Sequence, residues 1–226
     1  MIQKTRRMMG EAKGEKGFTL VEMALVLIII GIIIGAIVKG NDLVRSAEQK
    51  RIYTKFLGDW RLSYLNFYDR TGRVLGDTWD TNAPAAAGQD GMADTSGGTA
   101  AAPVAVTGQG GLVTSTDTTT YLGLSDAGLQ APVTNVPSIA YQYRYVDSEG
   151  NSHLLDVSFA WDDTDNYNYM QIVGMPGELA MAIDTMIDGT ANGQEGEFRH
   201  ATADATYAAW PAPQTNATNA RWRMQF

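Results

Sequence analysis

From Met23 to Val38 the chain runs MALVLIIIGIIIGAIV without a polar side chain, and Phe18-Thr19-Leu20-Val21-Glu22 extends this to a 21-residue segment with one charge. As a helix the segment is about 31 Å long, enough to cross the hydrocarbon layer of a bilayer. Residues 1–17 ahead of it carry a formal charge of +3. Positive residues on that side favour a cytoplasmic N-terminus and place everything after Lys39 across the membrane. The apolar run exceeds the ~7–15 residues of a secretory signal, and Lys39-Gly40-Asn41-Asp42 follows it rather than a small-residue cleavage site.

No helix stop follows the span. Residues 41–69 contain no proline, and Tyr53, Phe56, Trp60, Tyr64 and Phe67 recur at intervals of 3, 4, 4 and 3, with Leu57 beside them. These steps trace one face of a helix, and Arg51, Lys55, Asp59 and Arg61 fill the other faces. The spacing predicts an amphipathic helix with an aromatic stripe, continuous from Phe18 to about Arg70 and roughly 80 Å long. Gly31, Gly35, Gly40 and Gly58 mark the places where it would bend or melt. Asp69-Arg70-Thr71-Gly72 reads as its end, with Gly72 as C-cap.

Charge is partitioned along the chain. The net −8 of the 226 residues resolves into +3 before the span, −1 within it, +4 over residues 39–73 and −14 over residues 74–226. An acidic head of that balance disfavours nucleic-acid binding, apart from a local basic tip at Arg221 and Arg223. With no cysteine, a disulfide scaffold, a thiolate zinc site and a cysteine nucleophile are all excluded.

Glu22 is the most informative residue. A carboxylate four residues into an apolar span is costly unless it is protonated, paired or held at headgroup depth, so it marks either function or the membrane surface. Lys16-Gly17-Phe18-Thr19-Leu20-Val21-Glu22 followed by the apolar run resembles the processing and assembly signature of type IV pilins and type II secretion pseudopilins. That resemblance implies cleavage between Gly17 and Phe18 by a prepilin peptidase and N-methylation of Phe18. It further implies that Glu22 pairs with the Phe18 amine of a neighbouring subunit, which makes the buried carboxylate tolerable. The partners it implies are like pilin subunits in a homo- or hetero-polymer, an assembly ATPase, an inner-membrane platform and, before assembly, the membrane. The stretch from Phe67 to Asp77 is similar to the stem-to-head junction F-x-D-x-x-G-x-x-P-G-D, with Leu75 where that pattern often has proline. Lys39 likewise stands where many type IV pilins carry a stem proline.

Residues 81–120, rich in Ala, Gly, Thr, Ser and Asp, read as a low-complexity surface insertion. Beyond them, Ile139–Val146 and His153–Trp161 alternate about the turn 147–151 and predict a β-hairpin. Tyr167–Val173 reads as a third strand and Arg221–Phe226 as a last one. A helix is predicted from Pro176 to Ile187, with Leu179, Ile183, Met186 and Ile187 on one face. The expected fold class is α+β: a long N-terminal helix, membrane-spanning then amphipathic, packed by its aromatic stripe on a small antiparallel β-sheet head in the manner of pilins. Tyr141, Tyr143 and Tyr145 share a face and are expected to pack or to form a half-exposed sheet surface rather than a ligand platform.

The segment 182–197 resembles a helix-then-loop element of some pilin-like proteins, and Asp188, Asn192, Glu195 and Glu197 are candidate oxygen ligands to calcium. Asx turns with solvated carboxylates explain the same residues, as they do Asp162, Asp163 and Asp165, and no other cofactor is expected. His153 and His200 belong to no zinc or triad motif, and Gly108–Gly111 lacks the βαβ setting of a dinucleotide fingerprint. The chain is therefore expected not to be an enzyme. The organisation expected is a leader at 1–17, a transmembrane and polymerisation helix at 18–38, a stem helix and junction at 39–73, and an acidic head at 74–226. The function implied is that of a structural subunit of a type IV pilus or pilus-like filament, sited in a bacterial inner membrane with a periplasmic head and then in a filament. A type II secretion pseudopilin, or a membrane-tethered periplasmic binding module that does not polymerise, is the alternative.

Overall fold

The computed structural model describes residues 17–77, 91–93, 112–114, 122–162, 165–203 and 206–225. Residues 1–16, most of the 81–120 segment, Asp163 and Phe226 lie outside them. The chain divides into two units, Met1–Ser46 and Ala47–Phe226.

The first unit is helical from Leu20 onward, as part of helix α1 (Leu20–Arg51). None of the residues of α1 is buried. This is the one helix among the described residues long and apolar enough to cross a membrane. Gly31, Gly35 and Gly40 do not interrupt it.

In the second unit the helical run continues past Arg51 as a π-helix (Ile52–Leu57) and then as α2 (Gly58–Thr71). Gly72 ends it in the left-handed conformation, φ 68°, with its N–H on the Tyr68 carbonyl, as its sequence position predicts. Six antiparallel strands follow, β1 (Gln142–Val146), β2 (Ser152–Asp162), β3 (Tyr167–Pro176), β4 (Phe198–Ala203), β5 (Thr206–Tyr207) and β6 (Ala217–Arg223), with α3 (Gly177–Asp188) between β3 and β4. The sheet order is β1-β2-β3-β6-β4-β5. The architecture is α+β, a long N-terminal helix followed by an antiparallel sheet with a further helix.

The aromatic stripe lies on the sheet. Phe56 meets Tyr143 of β1 at 5.0 Å between ring centroids, while Trp60 and Tyr64 meet Phe159 of β2 at 6.1 and 4.9 Å. Large apolar side chains removed from water on both faces of this contact supply its stability, about 1.5–3 kcal/mol for each fully buried one. Helix α3 adds Leu179, Ala180 and Ile183 to the same core. The outer edge of β1 is closed by side chains: Asn135 Nδ2 donates to the Arg144 carbonyl, its Oδ1 accepts from the Arg144 N–H, both at 2.7 Å, and the Thr134 hydroxyl donates to the Gln142 carbonyl. An edge satisfied in this way offers less to a passing strand.

Several expectations are corrected. The last strand is Ala217–Arg223, shifted toward the N-terminus from 221–226, because Tyr169 and Arg223 are already opposite each other at the end of the β3–β6 ladder. Met186 is 38% exposed, so the buried face of α3 is carried by Leu179 and Ile183. Tyr53 is only half-buried, and Ile52 takes the central place. Strands β4 and β5 have no counterpart in the sequence reading.

Candidate functional site

Gly17 and Phe18 precede the helix, and both are exposed. Thr19 is its N-cap. Its carbonyl accepts from the Met23 N–H at 3.2 Å, its hydroxyl oxygen accepts from the Glu22 N–H at 3.2 Å, and its own N–H donates to Glu22 Oε2 at 3.3 Å. The Thr19 hydroxyl also donates to Glu22 Oε2 at 3.4 Å. This is a reciprocal capping box, in which Thr19 and Glu22 each satisfy a backbone N–H that the first helical turn leaves open. The carboxylate also stands at the positive end of the helix dipole. The spacing Thr19-x-x-Glu22 carries this box in the sequence, and it gives Glu22 a partner inside its own chain. The arrangement presents an exposed Gly17-Phe18 peptide, a capped helix start and a carboxylate at the surface. Behind it, Leu20, Val21 and the isoleucines of the run stand exposed.

In the head, two of the calcium candidates are held in local hydrogen bonds and two are exposed. Asp188 closes α3 onto the next strand: Oδ1 accepts from the Glu197 N–H at 3.0 Å and Oδ2 from the Phe198 N–H at 2.9 Å. Asn192 Oδ1 accepts from the Gln194 N–H, and Glu195 and Glu197 are exposed. Among the described residues no group of three or more His, Cys, Asp or Glu is placed to hold a metal ion. The carboxylate that stands out is one the sequence reading did not select. Asp184 is fully buried in α3 and accepts from the Trp210 indole N–H at 2.7 Å. Burial, with a further contribution from Asp188, pushes its pKa up to about 6, against the Trp210 hydrogen bond.

The basic tip is not formed. Arg221 is 1% exposed and its Nη1 lies 2.9 Å from Asp162 Oδ2, with the guanidinium over the Tyr169 ring. Arg199 pairs with Asp165 at 3.2 Å, and Arg223 covers the Tyr167 ring. The arginines of this face are thus neutralised or stacked, with Asp162 and Asp165 as the carboxylate partners. His153 is hydrogen-bonded to Asp147 in the β1–β2 hairpin. Burial opposes ionisation of Asp147, but hydrogen bonds from His153, Asn151 and the Glu149 N–H outweigh it and hold its carboxyl below the usual range. His200 is bound to the Ala209 carbonyl and stacked on Trp210. Tyr143 and Tyr145 pack as expected, and their hydroxyls donate to Glu48 and Glu178, each at 2.7 Å. The segment Gly108–Gly111 lies outside the described residues.

Compared with known proteins, residues 12–38 match the family model of the prokaryotic N-terminal methylation motif. This is the signature of type IV pilins and pseudopilins, and here it spans the Gly17-Phe18 junction, the Thr19–Glu22 capping box and the apolar run. No protein of curated function and no solved structure matches the chain.

Proposed function

We propose that this chain is a structural subunit of a type IV pilus or pilus-like filament rather than an enzyme. It is made as a precursor anchored in the inner membrane, cut between Gly17 and Phe18 by a prepilin peptidase, methylated at the Phe18 amine, and assembled through its N-terminal helix. The observation that carries this reading is the methylation motif at residues 12–38. The physical state of the same segment supports it. A helix that buries none of its residues within its own chain needs lipid before assembly and like helices afterwards. An assembly ATPase and an inner-membrane platform would extract the subunit, and the acidic head would face the periplasm and then the filament surface. A secretion pseudopilin carries the same motif, so the gene neighbourhood would distinguish a pilus system from a secretion system.

In this account Glu22 has two tasks. Within the chain it caps α1, and between chains its charge meets the Phe18 amine of the next subunit, where a cation offsets the cost of taking a carboxylate out of water. Glutamine also serves in a capping box, so the two tasks separate. Glu22→Gln keeps the cap and removes the charge, whereas Glu22→Ala removes both. Both variants are expected to be cleaved at Gly17 and to fail to enter filaments, read by immunoblot of sheared surface fractions. Normal incorporation of either one would sink the assembly role of the charge.

A further inference from the structure

The sequence stripe puts Tyr53 at the centre of the buried face, yet Ile52 is fully buried and Tyr53 rests at the flank, its ring 5.9 Å from Trp222. The π-helix is the cause. The Gly58 N–H reaches back to the carbonyl of Tyr53, five residues away, as well as to Lys55, so one residue more than an α-helix would hold is taken up in this turn. At roughly 100° per residue, that residue decides which side of the preceding turns meets the sheet.

Both alternatives are written in the sequence. Continued back from Trp60 as an unbroken α-helix, Tyr53 and Gln49 lie about two and three turns away and face the sheet, while Ile52 and Glu48 are turned off by roughly 80° and 120°. With the π-turn, Ile52 and Glu48 come onto the face instead. In that form Glu48 Oε1 accepts from the Tyr143 hydroxyl at 2.7 Å. Gln49 stays in reach as well, with Nε2 3.4 Å from the Tyr145 hydroxyl. Each register thus offers the sheet one large apolar side chain and one polar partner for its tyrosines. Gly58 bears on the choice: a Cβ there would stand 3.2 Å from the Tyr53 carbonyl oxygen, a tight contact that the π-turn could keep only if that carbonyl shifted.

We propose that the segment Ala47–Leu57 is a two-register switch, a π form with Ile52 and Glu48 against the sheet and an α form with Tyr53 and Gln49 there, exchanging by rotation of residues 47–52 without unfolding the head. This holds whether or not the chain polymerises. The absence of cysteine allows a direct test on the full chain in detergent, with Ile52→Cys as a thiol-labelling reporter and Val157→Cys, at a fully buried position of β2, as a control for an intact head. Two backgrounds set the register. Gly58→Ala opposes the π form, and deletion of the exposed Lys55 yields an unbroken α-helix that keeps Ile52 inward. The thiol at position 52 is expected to label at least tenfold faster with Gly58→Ala than with the Lys55 deletion or the parent backbone, while the thiol at 157 stays protected. Equal protection of position 52 with and without Gly58→Ala would overturn the switch. So would fast labelling at both positions, because the α register is then not compatible with a folded head. If the deletion variant does not fold, the comparison of Gly58→Ala with the parent backbone decides alone.

Discussion

Asp162 and Arg221 meet at 2.9 Å with side chains 3% and 1% exposed, and the Tyr207 hydroxyl donates to the same carboxylate oxygen at 3.0 Å. Removing one partner of such a pair leaves the other charge buried, so Asp162→Ala is expected to cost about 3–5 kcal/mol in denaturant unfolding. Replacing Arg221 and Asp162 together should cost less than the sum of the single changes. Asp184 behaves differently. Its pKa rises from 3.8 to about 6 on folding, so the folded state holds a proton that the unfolded chain has released. Its contribution therefore favours folding at low pH and is lost as pH rises from about 4 through 6. A thermal melt followed from pH 4 to pH 8 should show the wild type losing stability relative to Asp184→Asn by roughly 1–3 kcal/mol. Parallel profiles would show that Asp184 ionises without strain. At this scale the sequence was partly legible. Gly17, Phe18 and Glu22 stand out by type and spacing, whereas Asp184 differs from Asp188 only by facing inward, which four residues of separation on a helix do not announce. Arg221 looked like surface charge because its neutralising partner, Asp162, lies 59 positions away.

At the level of elements, the strongest predictions come from close approaches of backbone. Gly174 has φ 78° inside β3, at the point where the β3–β6 register slips between Ile172 and Met175. A Cβ there would run into the Leu154 carbonyl oxygen of β2. Gly174→Ala is thus expected to separate the sheet locally and to cost more than about 2 kcal/mol, adding backbone strain to the clash. A midpoint unchanged in urea would refute the close contact. Trp60 is fully buried, with its indole N–H on the Ala140 carbonyl at 3.2 Å. Trp60→Ala should therefore cost about 3–5 kcal/mol as the stripe loses its largest ring. The hairpin, β3, α3 and the Gly72 cap were legible because alternation, helical spacing and turn residues agreed there. Strand β4 was not, and β6 was only in its last residues, since Phe198-Arg-His-Ala-Thr-Ala and Ala217-Thr-Asn-Ala-Arg-Trp-Arg put arginine, histidine and threonine where alternation looks for aliphatic residues. Their order comes from partners, Arg221 on Tyr169 and Phe198 opposite Trp222. The π-turn was invisible because Tyr53 already satisfies an unbroken helical spacing.

The molecule as a whole joins two kinds of surface. The described part of its first unit is an apolar helix with no buried residue, and its second unit closes an aromatic core between helix and sheet. The formal charge is also divided along the chain, +3 over residues 1–17 and −14 over residues 74–226. Loss of the leader would take the mature subunit from −8 to −11. Such a chain cannot satisfy its N-terminal helix alone, and the account rests on that helix being released at one bond and then buried against its own kind. Intact-mass and N-terminal peptide analysis of the protein recovered from sheared surface filaments tests this most directly. The expected chain begins at Phe18 and carries one added methyl group on its amine. A chain that still begins at Met1 and is found only in the membrane fraction would contradict it.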